Sequence, residues 1–461
     1  MASVYLLDTT NRDGVQTARI TLSKLQKTLV NLYLGRMGVH QSEIGFPSLH
    51  HEQNYIAGNL ELAAQGAFGE MVLSGWLRAH PQDLEAALQT GLRHFDISMS
   101  TSPQMMEHKF GGRFSQEEVI HITTELVENA LAGGAETLII SAEDSSRSDL
   151  GFLVEFAQAV RAAGATRLRY CDTLGCDSPT SIARRVRVLA EQARMPIELH
   201  CHNDLGMAVA NSVEGARAVL EGGQDAWINT TVNGMGERAG NADLISVLLA
   251  CQYAQELAGE LPLAGEVDLQ WAWPLAGYVA RSFGLPIPIN QVGVGANIFA
   301  HESGIHADGT LKDRHNYELF DFDLLGRPEG EIVPTGRVIT TGEYGGVAGL
   351  RHVYSKLGIE FETDAEAREV LKLVQFANAH NQAPLTADEL RLLASYPVQA
   401  LKILTPMEVD LRLEGPVGSP AEALWLPWER SGRRRETVPV PARPTYKAQP
   451  AGEPRKALHF E

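Results

Sequence analysis

The sequence predicts an α/β protein: a (β/α)8 TIM barrel, then a smaller, mainly helical C-terminal region and a polar tail. Three observations predict this. Short β-branched runs alternate with longer helical patterns eight times between residue 4 and about residue 258, the count of a closed barrel. No Gly-rich phosphate loop follows the first strand, as an open dinucleotide-binding sheet would show. The composition then changes after residue 258 and again near 414. The expected divisions are 1–260 for the barrel, 261–300 for a linker, 301–412 for helical subdomains, and 413–461 for a Pro-rich, charged tail expected to be disordered.

The strands are expected at VYLLD (4–8), HQSEI (40–44), EMVLSG (70–75), LRHFDIS (92–98), ETLIIS (136–141), RLRYCD (167–172), PIELHC (196–201) and DAWIN (225–229). The first helix shows the pattern that separates them. Leu22, Leu25, Leu29 and Leu32 recur at helical spacing on one face, and Thr21 or Ser23 caps its start. After the barrel, the Pro- and Gly-rich LPLAGEVDLQWAWPLAGYVARSFGLPIPIN reads as a linker with helical parts. Residues 291–412 read as mostly helical, interrupted by segments such as TTGEYGGVAG.

Composition excludes several classes. The chain is 44% hydrophobic and 21% charged, ordinary for a soluble globular protein. Its net charge of −18 argues against general nucleic-acid binding. The basic RSGRRRE (430–436) reads as solvated tail. No apolar run approaches the ~18 residues a membrane span needs, and MASVYLLDTT carries no signal-peptide pattern. Cys171, Cys176, Cys201 and Cys251 are too few and too scattered for a disulfide framework, so a cytoplasmic setting is expected. Cys171 and Cys176 lack partners for a metal pair. GVGAN (293–297) lacks the strand-to-helix context of a dinucleotide loop. Trp271, Trp273, Met105 and Met106 read as packing.

Barrel chemistry gathers where strands end. The first strand runs into DTTNRDGVQT, which delivers Asp8, Arg12, Asp13 and Gln16. The seventh ends in HCHND, where a period of two places His200 and His202 on one face and Cys201 on the other. First and seventh strands contribute to one interior level, so two imidazoles and the Asp13 carboxylate converge at the mouth. Two His and one carboxylate with open positions suit a divalent metal, expected to be Mg²⁺, Mn²⁺ or Zn²⁺. A 2-oxo acid chelating it would have its carbonyl polarised, and Arg12 would stabilise the developing alkoxide.

DTTNRDGVQT, EIGFP, SAEDSSRSD, CDTLG, LHCHNDLGMAVANS, NGMGERAGN and HESGIHADG, in that order over residues 4 to about 312, resemble the DRE-TIM metallolyases. Within them the chain is similar to the acyl-CoA condensing branch of isopropylmalate, citramalate and homocitrate synthases. The resemblance implies that Asp13, His200 and His202 hold the metal, with Asn233 near a position that adds a fourth oxygen. It implies that Arg12 polarises the keto group, that Glu143 does acid–base work, and that Glu143 or His306 is the base that takes a proton from the acetyl methyl. His306, with His301 a weaker candidate, would reach the barrel of a partner subunit, which implies a homodimer with shared sites. Gln16 and Thr173 match substrate-contacting positions. Arg147 and Ser148 match the pair that holds the distal carboxylate of 2-oxoglutarate in homocitrate synthases.

The implied reaction is condensation of acetyl-CoA with a dicarboxylic 2-oxo acid, then hydrolysis to release CoA. 2-Oxoglutarate giving homocitrate is the expected acceptor. The first motif departs from the usual pattern at Asn11 and Val15. DTTNRDGVQT and GFPSLHHE look more like the Re-type citrate synthases, so oxaloacetate is the alternative. Isopropylmalate or citramalate synthesis, acyl-CoA cleavage, and a non-catalytic metabolite-binding barrel are further alternatives. The C-terminal region lacks a copy of the leucine-binding regulatory domain.

Overall fold

The computed structural model describes residues 2–300, 304–327, 346–381 and 385–405. The expected tail, its basic segment and His301 lie outside these residues.

Eight parallel strands close into a barrel: β1 Val4–Asp8, β2 Gln41–Gly45, β3 Val72–Arg78, β4 His94–Ser100, β5 Thr137–Glu143, β6 Arg167–Asp172, β7 Ile197–Cys201 and β8 Ala226–Thr230. Closure is direct. Val4 to Asp8 lie in register with Ala226 to Thr230. The expected strands fall close to the observed ones, with one instructive shift. The third was expected to stop at Gly75, yet it runs on to Arg78. Gly75 is no terminator. Pro47 packs against it so closely that a Cβ there would lie 2.2 Å from the proline ring.

The surrounding helices are α1 Lys24–Met37, α2 Gln53–Ala64, α3 Pro81–Leu88, α4 Pro103–His108, α5 Gln116–Ala132, α6 Leu150–Ala163, α7 Pro179–Ala193, α8 Ala208–Glu221 and α9 Leu244–Tyr253. Ser23 caps α1 through a reciprocal box with Gln26, so of the two expected caps the serine serves. Leu25, Leu29 and Leu32 of α1 are buried and Leu22 half-buried. Between strands and helices lies an apolar shell that includes Ile140, Leu168, Tyr170, Leu199 and Ile228.

Beyond the barrel, α10 Ala272–Phe283 packs on α1 and buries Ala272, Leu275, Ala276 and Val279. The stretch expected to link two regions therefore belongs to the barrel's outer layer. Then follow α11 Gly304–Lys312, α12 Val347–Lys356, α13 Asp364–Asn381, α14 Ala387–Ser395 and α15 Pro397–Leu404. α15 returns to pack on α2. The Tyr278 hydroxyl donates to Glu389 Oε1 at 2.9 Å, which ties α14 to α10.

The inside of the barrel is polar. Bulky branched residues usually fill this space. Here Gln41, Glu43, Asp96, Arg167, Arg169, Glu198 and Asn229 are all buried. Arg169 Nη1 reaches Glu43 Oε1 at 3.2 Å and also contacts Asp96. Its Nε reaches Glu198 Oε1 at 2.5 Å.

Candidate metal and substrate site

β1 ends at Asp8, and the chain then turns tightly. The amides of Arg12, Asp13 and Gly14 all donate to the Thr9 carbonyl, at 3.0, 2.8 and 3.1 Å. This turn lifts Arg12 and Asp13 to the barrel mouth. Asn11 points elsewhere: its Nδ2 donates to the Lys27 carbonyl and to Asn31 Oδ1. The departure at Asn11 is thus answered by α1.

Asp13, His200 and His202 come together, with one ligand atom from each lying within 4.8 Å of the others. His200 Nε2 is 3.3 Å from Asp13 Oδ2. The two imidazole rings are 4.9 Å apart and nearly perpendicular. Burial, and after it His200, pushes His202 down to about 3. Burial works to raise Asp13, but the Arg12 guanidinium above all overcomes it and holds the carboxyl well below its usual range. A neutral imidazole and an ionised carboxylate are the forms a cation binds. Asp13 Oδ1 and His202 Nδ1 are buried without hydrogen-bond partners. Buried acceptors left without partners suit a bound cation, so these residues fit a divalent metal.

Arg12 is fixed from two sides. Its Nε donates to Glu43 Oε2 at 2.9 Å and its Nη1 to Asp13 Oδ2 at 2.8 Å. The guanidinium stands 5.6 Å from the centre of the Trp76 ring. A cavity of about 230 Å³ opens over Arg12, Asp13, His200 and His202. Gln16, Thr173 and Glu143 also line it, as do Ser98, Ser141, Arg169, Cys171 and Arg238. Glu143, at the end of β5, takes the Ser100 hydroxyl and the Lys109 ammonium.

Four expected site residues do not line this cavity, and of these His306 was expected to serve a partner subunit's barrel. Asn233 has a left-handed backbone (φ 58°), and its Nδ2 donates to the Ala276 carbonyl of α10 at 3.0 Å, away from the cavity. Arg147 does not line the cavity; its Nη2 bonds Asp144 Oδ2 at 2.7 Å. Ser148 is buried against Thr101 Oγ1 at 2.8 Å. His306 sits exposed on α11, stacked on Tyr317 with ring centres 4.1 Å apart.

Sequence reasoning missed Asn241. Its backbone pairs with His202 across an antiparallel bridge. Its side chain is 3% exposed, and neither end of its carboxamide has a hydrogen-bond partner. Asn233 Oδ1 is likewise buried without a partner, but only Asn241 is paired with His202, which makes it a second candidate for the fourth oxygen. The signal lay in NGMGERAGN, but only the bridge shows which asparagine of that motif meets the histidines.

Residues 3–276 match the family described as HMGL-like, and residues 294–381 match the one described as homocitrate synthase post-HMGL domain-like. The chain belongs to the HMGL-like family. Within it, this HMGL-like chain falls in the acyl-CoA condensing branch. It is 50% identical over 408 residues to the citrate (Re)-synthase of Dehalococcoides mccartyi, covering 88% of this chain and 98% of that one. It is 32% identical over 397 residues to homocitrate synthase 1 of a Nostoc species, covering 85% and 96%. It is 35% identical over 391 residues to 2-isopropylmalate synthase 2 of Caldanaerobacter subterraneus subsp. tengcongensis, covering 85% and 94%. The hydroxymethylglutaryl-CoA lyase structure from Pseudomonas aeruginosa matches at a TM-score of 0.52 and 18% identity, covering 62% of this chain and 94% of that one. That match supports the barrel fold alone.

Proposed function

We propose that this protein condenses acetyl-CoA with oxaloacetate and hydrolyses the product to citrate and CoA, as a Re-type citrate synthase. It is an acyltransferase of the condensing kind. The observation that carries the acceptor is the 50% identity to a citrate (Re)-synthase over nearly the whole of both chains, against 32% to a homocitrate synthase. Local geometry supports the same choice. Arg147 and Ser148, expected to hold the distal carboxylate of 2-oxoglutarate, are engaged by Asp144 and Thr101. Oxaloacetate, one methylene shorter, therefore replaces 2-oxoglutarate as the preferred acceptor.

Asp13, His200 and His202 would hold the divalent metal, with Asn233 or Asn241 adding the fourth oxygen. When bound, the ion supplies Lewis-acid polarisation of the acceptor's keto group. Arg12, held by Glu43 and Asp13, donates to the keto oxygen as it gains charge. Glu143, beside Lys109 and Ser100, takes a proton from the acetyl methyl. The resulting enolate carbon bonds the keto carbon, and the keto oxygen ends as a hydroxyl. Water then cleaves the thioester, giving a carboxylate and free CoA. Positioned proton transfer of this kind contributes roughly 10²–10⁴-fold. Gln16 and Thr173 contact substrate at the rim. His306, exposed and outside its own cavity, serves the barrel of a second subunit in a cytoplasmic homodimer. Among the described residues no helix is long and apolar enough to cross a membrane.

The test offers acetyl-CoA and Mn²⁺ with oxaloacetate or 2-oxoglutarate, and identifies products by mass. Citrate from oxaloacetate, with little homocitrate, is expected. Label from acetyl-CoA should remain in oxaloacetate after treatment with a lyase that removes the arm set by Si-face attack. Homocitrate as the main product would restore the first reading. His200→Ala should cut CoA release at least 100-fold; undiminished turnover would remove the metal assignment.

A further inference from the structure

Below the histidines the barrel holds a line of contacts that the chemistry above does not use. It begins at Glu198 on β7, two residues before His200. Its two carboxylate oxygens each face a guanidinium, one from Arg169 and one from Arg167. Arg169 Nε donates to Oε1 at 2.5 Å, and Arg167 Nε donates to Oε2 at 2.7 Å. Arg167 is itself held, 3.6 Å from the centre of the Trp227 ring and 2.6 Å from Gln41 Oε1. The carboxylate is thereby fixed and ionised, and an ionised carboxylate only accepts hydrogen bonds.

Asn229 on β8 comes next, 1% exposed. Its Nδ2 donates to Glu198 Oε1 at 3.0 Å. The two ends of a carboxamide have nearly the same shape, so the hydrogen-bond network decides which way it faces. Glu198 can take only the nitrogen end, so Oδ1 must face the opposite way. There it accepts the Thr9 hydroxyl at 3.0 Å and lies 3.1 Å from His200 Nδ1. An amide oxygen cannot donate, so His200 carries a proton on Nδ1. The lone pair of a neutral ring then sits on Nε2, the nitrogen 3.3 Å from Asp13 Oδ2.

We propose that Asn229 is a positioning residue that sets the tautomer of His200, through a relay running Arg167 and Arg169 to Glu198, to Asn229, to His200. The proposal rests on the metal reading above and goes beyond its ligands. Without the relay, an imidazole is free to place its proton on Nε2, the atom needed for the metal. His202 is the built-in control. Its Nδ1 has no hydrogen-bond partner, so the relay does not reach it.

The experiment labels histidine with ¹⁵N and reads nitrogen shifts in the metal-free protein at pH 8 and with Zn²⁺ bound. His200 is assigned by its loss in His200→Ala. Calorimetry with Mn²⁺ gives the metal affinity. In the native protein His200 should carry its proton on Nδ1 in both states. In Asn229→Ala the metal-free proton should move toward Nε2, while His202 stays unchanged. Metal binding should weaken about 10–100-fold, the usual effect of removing such a partner. Asn229→Asp keeps an acceptor for Nδ1–H and should restore the native tautomer. An Nε2 proton on His200 in the native protein would overturn the proposal, whether or not the variants fold. So would weakened metal binding in Asn229→Ala with the tautomer unchanged, because that marks a merely structural role. If no divalent cation binds the native protein, the metal reading fails, and the metal-free tautomer still decides the relay.

Discussion

The two faces of the barrel wall are built from different chemistry. Outside, between strands and helices, Ile140, Leu168, Leu199 and Ile228 belong to a continuous apolar layer. Inside, the alternating neighbours are Arg167, Arg169, Glu198 and Asn229. The outer layer stabilises by removing apolar surface from water, roughly 25 cal/mol per Å². The inner layer contributes little net stability in that way, because the desolvation of buried charges offsets their attraction. It offers direction instead: each interior charge orients a neighbour, and the line ends at Arg12 and His200. Losses inside should therefore damage stability and the site together, whereas losses outside should damage stability alone.

The largest effect is expected from Arg169→Met. It leaves Glu43, Asp96 and Glu198 facing one another without their shared cation. Breaking a buried charge network by removing one partner costs about 3–5 kcal/mol. Urea unfolding should show that loss. Calorimetry on the protein that remains folded should show weaker Mn²⁺ binding. Full stability with full metal affinity would contradict the division between the two layers.

The barrel was legible because eight alternations of short and long patterns leave few other closures. His200 and His202 were legible from their period of two, and Asp13 from its place after the first strand. The same period of two, followed further down β7, would have reached Glu198; on β6 it joins Arg167, Arg169 and Cys171. The Arg147 contact was legible as well, since Asp144 stands three residues earlier at the spacing of a helical turn. Asn241 was not, because its meeting with His202 is made by the folded chain and by no local spacing.

A smaller effect depends on pH. Burial raises Asp96 to about 7, and Glu43 and Glu198 add to the rise against the pull of Arg169. A folded value above the unfolded 3.8 means the native state holds a proton that the unfolded chain has lost. The contribution of Asp96 is therefore full below pH 3.8 and lost as pH climbs toward 7. Asp96→Asn keeps the shape without the titration. The stability of the native protein relative to this variant should fall between pH 4.5 and 6.5, by at most about 1.4 kcal/mol per unit, and level off above 7.5. A difference that grows with pH in that window would show Asp96 ionised in the folded protein.

The smallest effect comes from the outer layer and sharpens the comparison most. Ile140 on β5 is fully buried among apolar neighbours, while Ser141, the next residue, faces the cavity and donates to Asp96 Oδ1 at 2.8 Å. Ile140→Val removes one methylene from the helix side of the strand and leaves the cavity side intact. The expected cost is about 0.5–1.5 kcal/mol, seen as a lower urea midpoint with an unchanged slope. Mn²⁺ affinity and the KM for oxaloacetate should stay at native values. If so small a change outside the wall moved metal affinity as Arg169→Met does, the strand would be transmitting strain across its own thickness. The interior charges would then have no separate claim to orienting Arg12 and His200.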